Sequence, residues 1–390
     1  MTAQSWSICD SLTGNLLWGK EYTQVREMAS LTKIMTAFVV VKLISILKIN
    51  PYTHYLIVSN NAASTYGTSG YLKQNHKLTV YDLLHALLLP SGNDAAVALA
   101  EGFGSLIIQN SRKKSLEKQL KEEFSPPSTR ENSPDARYVF MKAMNRLAKK
   151  LGLTKTSFAN PHGLADKGTH SNAQELGKLA SIANKNTMIH EIVNKKSHRA
   201  TAINLNKRIE RENKETEYGI YYYYWKNTNR LLEHEDFCGM KTGETVTAGS
   251  CLIGLYNVKP LYQTLQQNYM TCPVSNNGNT GNNGNKGNNG NASITPLPCD
   301  NHCKNANSEN MKSNTNSALS NHGSFVSVIP CSEKSVGIVI TVLACKGNGY
   351  KFKEVYNLAM WASKKIKSIY QKYNFSEQGP KRKKLHFYCK

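Results

Sequence analysis

The amino-acid sequence predicts an α/β fold, with strands near both ends of the chain and helices between them. Near the start, two short apolar runs flank a Thr13–Gly14–Asn15 turn, a pattern typical of a β-hairpin. Three strand patterns occur late in the chain, and an amphipathic helix pattern follows them at 352–370. We therefore expect a sheet built from the hairpin and the late strands, covered by the last helix, with a mostly helical lobe between them.

Two apolar helix patterns follow the hairpin. Residues 29–49 are apolar on most faces, which predicts a helix buried in the middle of the protein. The second pattern ends at Pro90, and the residues after it, Ser91, Asn93 and Asp94, are of the types that cap a new helix. We expect that new helix to begin in this segment.

The middle of the chain continues the helical lobe. Helices are predicted at 138–151 and 173–184, separated by a polar loop at 156–172. The aromatic stretch 217–226 is expected to be extended, because aromatic residues favour strands. The late strands are then predicted at 239–249, 250–256 and 335–345.

Three segments interrupt or follow this pattern. One is charged and contains prolines, one is rich in Asn and Gly, and the last is basic. A sheet tolerates such insertions, since the entropy of closing a loop grows only logarithmically with its length. We predict one discontinuous domain, 1–257 with 334–370, a charged surface insertion at 110–135, a disordered insertion at 258–333 and a basic tail at 371–390.

The composition is strongly basic. The 49 Lys and Arg against 27 Asp and Glu give 49 − 27 = +22, and 40% hydrophobic residues suffice to fill a core. A basic surface can bind polyanions, but net charge alone is a weak reason, so we expect no nucleic-acid partner. Cys299 and Cys303, with His302 between them, have no second pair at metal-ligand spacing, so we predict no metal site.

Nothing in the sequence predicts insertion into or export across a membrane. The apolar run 34–47 is interrupted by Lys42 and is shorter than the roughly 20 residues that span a bilayer, so we expect no transmembrane segment. The first ten residues lack a charged segment followed by an apolar one, so no signal peptide is predicted. The default expectation is a cytoplasmic protein, unless the N-terminus is truncated.

Three short motifs could together form a nucleophilic site: Ser30-Leu31-Thr32-Lys33, Ser91-Gly92-Asn93 and Lys241-Thr242-Gly243. Each is weak alone, but their order and the elements around them fit one mechanism. Ser30 and Lys33 share a helix face, so the hydroxyl and the amine can meet as nucleophile and base. Burial beside Lys241 would lower the pKa of Lys33 and leave it able to accept a proton.

The other motif residues supply the remaining groups. Ser91 offers a proton relay, and Asn93 has amide groups able to orient Lys33 and a peptide backbone. Lys241 provides positive charge for a substrate carboxylate. Gly243 has no side chain, so a substrate strand can lie against the sheet edge.

The motifs and their flanking stretches resemble the low-molecular-weight D-alanyl-D-alanine carboxypeptidases, the serine peptidases of family S11. The similar stretches are MASLTKIMTAF, LLLPSGNDAAVALAEG, FANPHGLADKGTHSNAQELGKLA, NTNRLL and GMKTGETVTAGSCLIG. The resemblance covers about residues 5–257 and 334–368. It implies the serine β-lactamase and penicillin-binding protein fold, with a five-stranded antiparallel sheet and the active site in the groove between sheet and lobe.

The resemblance also implies a role for each motif residue. Ser30 would be the acyl-enzyme nucleophile, Lys33 the proton acceptor, and Ser91 with Asn93 the second-motif pair. Lys241 and Thr242 would bind the substrate carboxylate. The oxyanion hole would be formed by the backbone N–H groups of Ser30 and Glu244, the residue after Gly243.

The implied reaction is removal of the terminal D-alanine from a peptidoglycan-type peptide ending in D-Ala-D-Ala. It needs no cofactor, and β-lactams would be covalent inhibitors. Two alternatives stay open: an esterase or amidase acting on small acyl compounds, and a catalytically weak module that binds peptidoglycan or another polyanion. The SGN motif, and the lack of a Glu-x-x-Leu-Asn segment between Asn93 and Lys241, argue against a dedicated β-lactamase.

Two features near the motifs carry separate expectations. Glu244 is acidic beside a site for a carboxylate, so an inward-pointing side chain would weaken substrate binding by repulsion. His162 and His170 lie in a loop marked by Asn160-Pro161 and Gly163. Because Lys33 fills the role of base, we expect these imidazoles to hold the loop by hydrogen bonds rather than to act in catalysis.

Overall fold

A five-stranded antiparallel sheet, in the order β2–β1–β9–β8–β7, forms one layer of the computed structural model. The structure describes residues 1–111, 135–209, 217–258 and 336–374, together with Leu120, Glu122 and Phe124. The strands of this sheet are β1 (Ser5–Asp10), β2 (Leu16–Lys20), β7 (Phe237–Thr245), β8 (Gly249–Val258) and β9 (Val336–Cys345).

This sheet is the one expected from the sequence. The N-terminal hairpin pairs through β1 with β9, and β9 pairs with β8, so strands from the two ends of the chain meet in the middle of the sheet. Val258 and Val336 are register partners. The predicted insertion therefore leaves the sheet and returns to it at adjacent positions, as a hairpin loop would. Residues 259–335, which include Cys299 and Cys303, lie outside the described residues, as do 375–390 of the basic tail and most of 110–135. Val258, predicted to begin the insertion, is the last residue of β8, and residues 371–374, predicted to begin the tail, belong to the last helix.

The lobe contains most of the helices. They are α1 (Lys33–Leu47), α2 (Asn60–Ala63), α3 (Val80–Leu88), α4 (Asn93–Ser111), α5 (Ala136–Lys150), α6 (Ala173–Asn184) and α7 (Thr187–Asn194). The predicted helices at 138–151 and 173–184 correspond to α5 and α6. The second apolar pattern begins helix α3 only at Val80, because its first residues belong to a strand.

The lobe also holds a four-stranded antiparallel sheet, ordered β3–β4–β5–β6. Its strands are β3 (Tyr55–Ile57), β4 (His76–Thr79), β5 (Ser197–Ile209) and β6 (Glu217–Lys226). The aromatic stretch 217–226 is extended, as predicted. The other three strands were not predicted, because β3 and β4 are very short and β5 is largely polar, so their hydrophobic pattern is weak.

Helix α1 is the buried helix that the sequence predicts. A 3-10 turn at Ala29–Thr32 leads into it, and every residue from Lys33 to Val41 is buried. By length and composition Ala29–Leu47 could cross a bilayer, but 67% of this segment is buried inside the protein. A helix that is apolar on all faces belongs in a core, and here the core places Ser30 and Lys33 at its start.

The C-terminal helix α8 (Asn348–Asn374) covers the back of the large sheet. Val355 and Leu358 pack with Leu252 of β8 and Ile340 of β9 in a second buried cluster. The sheet is thus buried on both faces, by α8 on one side and by α6 with the 3-10 turn on the other. This packing fixes the position of β7 relative to the start of α1.

Gly104 sets how closely α4 approaches α5. A Cβ at this position would lie 1.8 Å from the carbonyl oxygen of Ala136, a contact that only a shift of the helices can relieve. We expect Gly104→Ala to lower the free energy of unfolding by about 1–3 kcal/mol, the usual cost of overpacking. Gly349→Ala is the matched control, because nothing lies within 4 Å of its Cβ position in α8. Urea denaturation would contradict this account if both variants had the same stability.

Candidate active site

The first and second motifs meet at the start of α1. The Nζ of Lys33 donates to the Oγ of Ser30 at 2.9 Å and to the Oδ1 of Asn93 at 2.7 Å. A third bond runs to the backbone oxygen of His162 at 2.8 Å. Ser30 lies in the 3-10 turn and Lys33 begins α1, so the predicted one-turn spacing brings hydroxyl and amine into hydrogen-bond contact.

Lys33 is completely buried, and this determines its charge. Burial lowers the pKa of Lys33 well below the usual lysine value, and repulsion from Lys241 lowers it further, while the Asp94 carboxylate acts in the opposite direction. All its hydrogen-bond partners are oxygen atoms that a neutral amine can also contact. The amine beside Ser30 can therefore act as a proton acceptor.

The second motif is held by the loop that precedes α3. The Nδ2 of Asn93 donates to the backbone oxygen of Tyr66 at 2.7 Å, and the hydroxyl of Thr68 donates to the backbone oxygen of Ser91 at 2.7 Å. Gly67 allows this approach, since a Cβ there would lie 2.6 Å from Asn93 Nδ2. These bonds turn the Oδ1 of Asn93 toward Lys33.

Ser91 differs from its neighbours in having an unsatisfied side chain. Its Oγ is buried and has no hydrogen-bond partner in the part of the chain that the structure describes. Its backbone has φ = 67°, a left-handed conformation that is uncommon for serine. A buried, unpaired hydroxyl held in a strained turn is available to a ligand or a transferring proton.

Asp94 fixes the loop that holds Asn93. Its carboxylate accepts from Gly70 N at 2.9 Å, from Leu72 N at 3.0 Å and from Ser69 Oγ at 2.6 Å. Trp225 of β6 donates to Gly70 O at 2.8 Å. The small sheet therefore supports the second motif through this loop. Asp94 lies in the first turn of α4 and holds the loop, where the sequence predicts a helix cap.

The third motif lies on β7, across from Ser30. A Cβ on Gly243 would be 3.1 Å from the backbone nitrogen of Ser30, so the glycine allows the strand to lie against the turn. Lys241 is buried and donates to the backbone oxygen of Thr242 at 2.9 Å. The structure thus brings together all three motifs that the sequence selected.

Two lysine side chains, those of Lys241 and Lys351, lie close together on the β7 side of the cleft. Burial, and then repulsion from Lys351 of α8, lower the pKa of Lys241 to about 7. Near neutral pH Lys241 is then only partly protonated, because two amines lie close together in buried surroundings. A carboxylate bound beside Lys241 would favour its protonated form.

The carboxylate of Glu244 forms an ion pair with Lys351. Its Oε2 lies 3.2 Å from the Nζ of Lys351, and Lys351 also donates to Gly243 O at 3.4 Å. The side chain of Glu244 is 47% exposed, while that of Lys351 is 4% exposed. The positive charge of Lys351 thus offsets the repulsion expected between Glu244 and a substrate carboxylate. Short-range sequence patterns do not reveal this pair, because the two residues are far apart in the chain.

The loop at 156–172 contributes backbone rather than imidazole groups. His162 O accepts from Lys33, and Pro161 O accepts from Thr36 at 2.6 Å. His162 Nδ1 also accepts from Leu164 N at 3.2 Å, the local loop contact predicted for it. Among the described residues the imidazole of His170 makes no hydrogen bond, contrary to the prediction, and this residue holds the loop through its backbone pairing with Ser157. Gly163 is needed here, because φ is +86° and a Cβ would lie 1.9 Å from Ala29 O.

Sequence reasoning missed Thr228, Lys351 and the carbonyl of His162. The Oγ1 of Thr228 lies 2.7 Å from the Oγ1 of Thr242 and so connects the end of β6 to the third motif. Thr228 belongs to the NTNRLL stretch noted for its similarity, which was the available signal. No local pattern marks the other two.

A family model described as D-alanyl-D-alanine carboxypeptidase, peptidase S11, matches residues 1–107 and 131–259. D-alanyl-D-alanine carboxypeptidase DacF of Bacillus subtilis (strain 168) is 30% identical over 251 residues, which are 64% of this chain and 53% of that protein. The D-alanyl-D-alanine carboxypeptidase of Streptomyces sp. (strain K15) is 31% identical over 242 residues, 62% of this chain and 72% of that protein.

A solved structure with a similar fold supports the family assignment. The crystal structure of the Streptomyces K15 DD-transpeptidase aligns with a TM-score of 0.52 at 27% identity, over 66% of this chain and 85% of that one. The chain spans about half the length of the Bacillus protein. The family match ends at 259, yet β9 and α8, which complete the sheet and supply Lys351, come later in the chain.

The lowered pKa of Lys241 makes stability depend on pH. An unfolded lysine has a pKa of about 10.4, so between pH 7 and 10 the unfolded chain binds more protons at this residue than the folded chain. The free energy of unfolding should therefore rise with pH in this window, by at most about 1.4 kcal/mol per pH unit from Lys241. In Lys241→Met this contribution is absent, and the variant's stability relative to the unmodified chain should fall as the pH rises.

The measurement is urea denaturation of both proteins at pH 7, 8 and 9. Lys20→Met, which removes an exposed lysine of β2, controls for the loss of one charge. Identical pH slopes for the unmodified chain and Lys241→Met would show that Lys241 keeps its proton in the folded protein.

Proposed function

The chain belongs to the D-alanyl-D-alanine carboxypeptidase family, peptidase S11, and from this membership and the geometry of its motifs we propose that it is a serine-type D-Ala-D-Ala carboxypeptidase. The proposed substrate is a peptidoglycan-type peptide, and the proposed reaction removes its terminal D-alanine through an acyl-enzyme on Ser30. β-Lactams would acylate the same hydroxyl.

One observation carries the proposal: a fully buried lysine amine 2.9 Å from a serine hydroxyl. A serine attacks a carbonyl only if its proton has an acceptor at hydrogen-bond distance. Burial lowers the pKa of Lys33, so the neutral amine is available at moderate pH without a histidine. The Oδ1 of Asn93 and His162 O hold this amine in place.

The proposed acylation step moves one proton away from the nucleophile and one toward the leaving group. Ser30 Oγ attacks the penultimate carbonyl carbon while Lys33 takes the hydroxyl proton. The tetrahedral intermediate then collapses, the C–N bond breaks, and the leaving D-alanine nitrogen receives a proton. The unpaired Oγ of Ser91 supports a role as relay between Lys33 and that nitrogen.

The substrate would bind along β7. It is the last strand in the order of the large sheet, so one of its edges is free of other described strands. An extended peptide can add to such an edge through backbone hydrogen bonds. Lys241 and Thr242 would bind the terminal carboxylate, and the N–H groups of Ser30 and Glu244 would stabilise the oxyanion. Water would then hydrolyse the ester.

The proposal predicts a covalent adduct on Ser30. Brief exposure of the full chain to benzylpenicillin should increase its intact mass by that of the β-lactam, and peptide mapping should locate the adduct on the peptide containing Ser30. Ser30→Ala should form no adduct and release no D-alanine from a D-Ala-D-Ala peptide. Ser45→Ala, in the same helix, is the matched control and should react as the unmodified chain does.

Two outcomes would redirect the proposal. A protein that is folded but not acylated would be a binding module with an idle Ser30. A protein that is acylated and cleaves simple esters, but releases no D-alanine from the peptide, would be an esterase or amidase with the same nucleophile.

Replacing Ser91 should lower the activity without lowering the stability. Ser91→Ala should slow acylation by about 10²-fold or more, as loss of a proton-transfer group does. Its stability should be unchanged or higher, because the removed hydroxyl is buried and unpaired. Thr341→Val is the control: its Oγ1 on β9 is also buried and unpaired, but β8 separates it from β7. It should show the stability effect alone, and a normal acylation rate for Ser91→Ala would exclude the relay.

A further inference from the structure

The outer face of the small sheet exposes a row of aromatic and aliphatic side chains, which we call the tyrosine face. On β6, Tyr222 is 74% exposed, Ile220 62%, Tyr224 54% and Tyr218 43%. These residues alternate with the buried Tyr223 and Trp225, so they all lie on one side of the strand. The tyrosine face comprises these four residues and, from the other strands, Tyr55, Ile57, Lys77, Arg199, Thr201 and Ile203.

The strand register makes this face continuous across the sheet. Ile57, Lys77, Ile203 and Ile220 are successive cross-strand partners, so one row spans all four strands. Thr201 pairs with Tyr222 and Arg199 with Tyr224 in neighbouring rows. Exposed apolar surface of this extent, organised on a rigid sheet, marks an interaction site rather than a scatter of single residues.

The charge on the face indicates the class of ligand. Arg199 lies 5.9 Å from the ring of Tyr224 and Lys77 lies 5.1 Å from the ring of Tyr55, and Lys226 continues the outward side of β6. No carboxylate lies among the described side chains of this face. It is therefore complementary to a polymer that combines ring faces with negative charge.

The number of cations favours a polymer of low charge density. Tyr218 to Tyr224 covers about 20 Å at the rise of a β-strand. A nucleic-acid strand presents a phosphate about every 3.4 Å in a duplex, or about six over that length, and its affinity depends on pairing them with cations. Three cations among the described side chains of the face suit a polysaccharide better, because it carries far fewer charges than a nucleic acid. Tyrosine suits sugars, because its ring packs on their C–H faces and its hydroxyl bonds to theirs.

The strand that carries most of the tyrosine face leads along the chain to the third motif. β6 ends at Lys226, and Thr228, two residues later, contacts Thr242 of the third motif at 2.7 Å. Tyr224 is four residues before Thr228, a distance of at most about 14 Å along the chain. A polymer that extends along β6 past Lys226 would therefore approach the third motif.

We propose that the tyrosine face binds the glycan strand of peptidoglycan and so presents the attached peptides to Ser30. This inference rests on the proposed function for its substrate, but it concerns a different surface. It predicts that residues of β6 affect binding of the polymer without affecting reactions of small molecules in the cleft.

The test is co-sedimentation of the full chain with insoluble bacterial peptidoglycan, intact or freed of its peptides. Tyr222→Ser/Tyr224→Ser should weaken binding to both forms at least tenfold while the rate of acylation by benzylpenicillin stays within twofold. Tyr138→Ser/Tyr350→Ser is the matched control, because these tyrosines are 54% and 53% exposed on α5 and α8. It should bind as the unmodified chain does.

Other results would overturn the inference. Unchanged sedimentation of Tyr222→Ser/Tyr224→Ser would do so, as would binding that requires the peptides, or stronger binding to poly(U) RNA that the same substitutions abolish. If that variant loses acylation as well, Tyr222→Leu/Tyr224→Leu replaces it and is judged by the same criteria. Sedimentation that depends on the tyrosines in a protein that penicillin never acylates would refute the proposed carboxypeptidase activity and leave this surface established.

Discussion

The organisation of the site depends on one burial: a lysine amine enclosed at the start of a core helix. An isolated buried ammonium is very unfavourable, and burial accordingly lowers the pKa of Lys33. Three oxygen atoms surround its amine and satisfy it by hydrogen bonds. Each oxygen comes from a different part of the chain: the 3-10 turn, the start of α4 and the 156–172 loop. The requirement to satisfy one nitrogen therefore holds these three segments together.

Close backbone packing makes this arrangement possible. Gly163 lies against Ala29, Gly67 lies against Asn93, and Gly243 lies against the Ser30 nitrogen, so each segment around Lys33 approaches its neighbour where a side chain is missing. The strained backbone of Ser91 belongs to the same region. At Ser91 a strained backbone and a hydroxyl unpaired within the described part of the chain thus coincide where the chemistry is proposed.

Individual lysine side chains act on their immediate neighbours in this structure, rather than through the net charge of the whole chain. Lys351 balances Glu244 and lowers the pKa of Lys241, so two lysines and one glutamate set the electrostatics of the β7 side. Two cations of the tyrosine face, Lys77 and Arg199, lie over aromatic rings. Both arrangements suit ligands with few, well-placed carboxylates better than a polyanion with a charge on every unit.

The sequence alone determined what depends on local pattern and spacing. The hairpin, the buried helix, the late strands and the one-turn separation of Ser30 from Lys33 follow from periodicity and helix geometry. The capping role predicted for Ser91 and Asn93 was wrong, because the Ser91 hydroxyl has no partner among the described residues and the Asn93 side chain bonds Lys33 and Tyr66 instead. Only the tertiary structure decided what depends on contacts between distant residues. It paired Lys351 with Glu244, brought His162 O to Lys33, made the charge of Lys241 conditional, and assembled β3, β4 and β5 into a second sheet. These features depend on burial and on contacts between residues that are far apart in the chain. A short stretch of sequence contains only one partner of each contact.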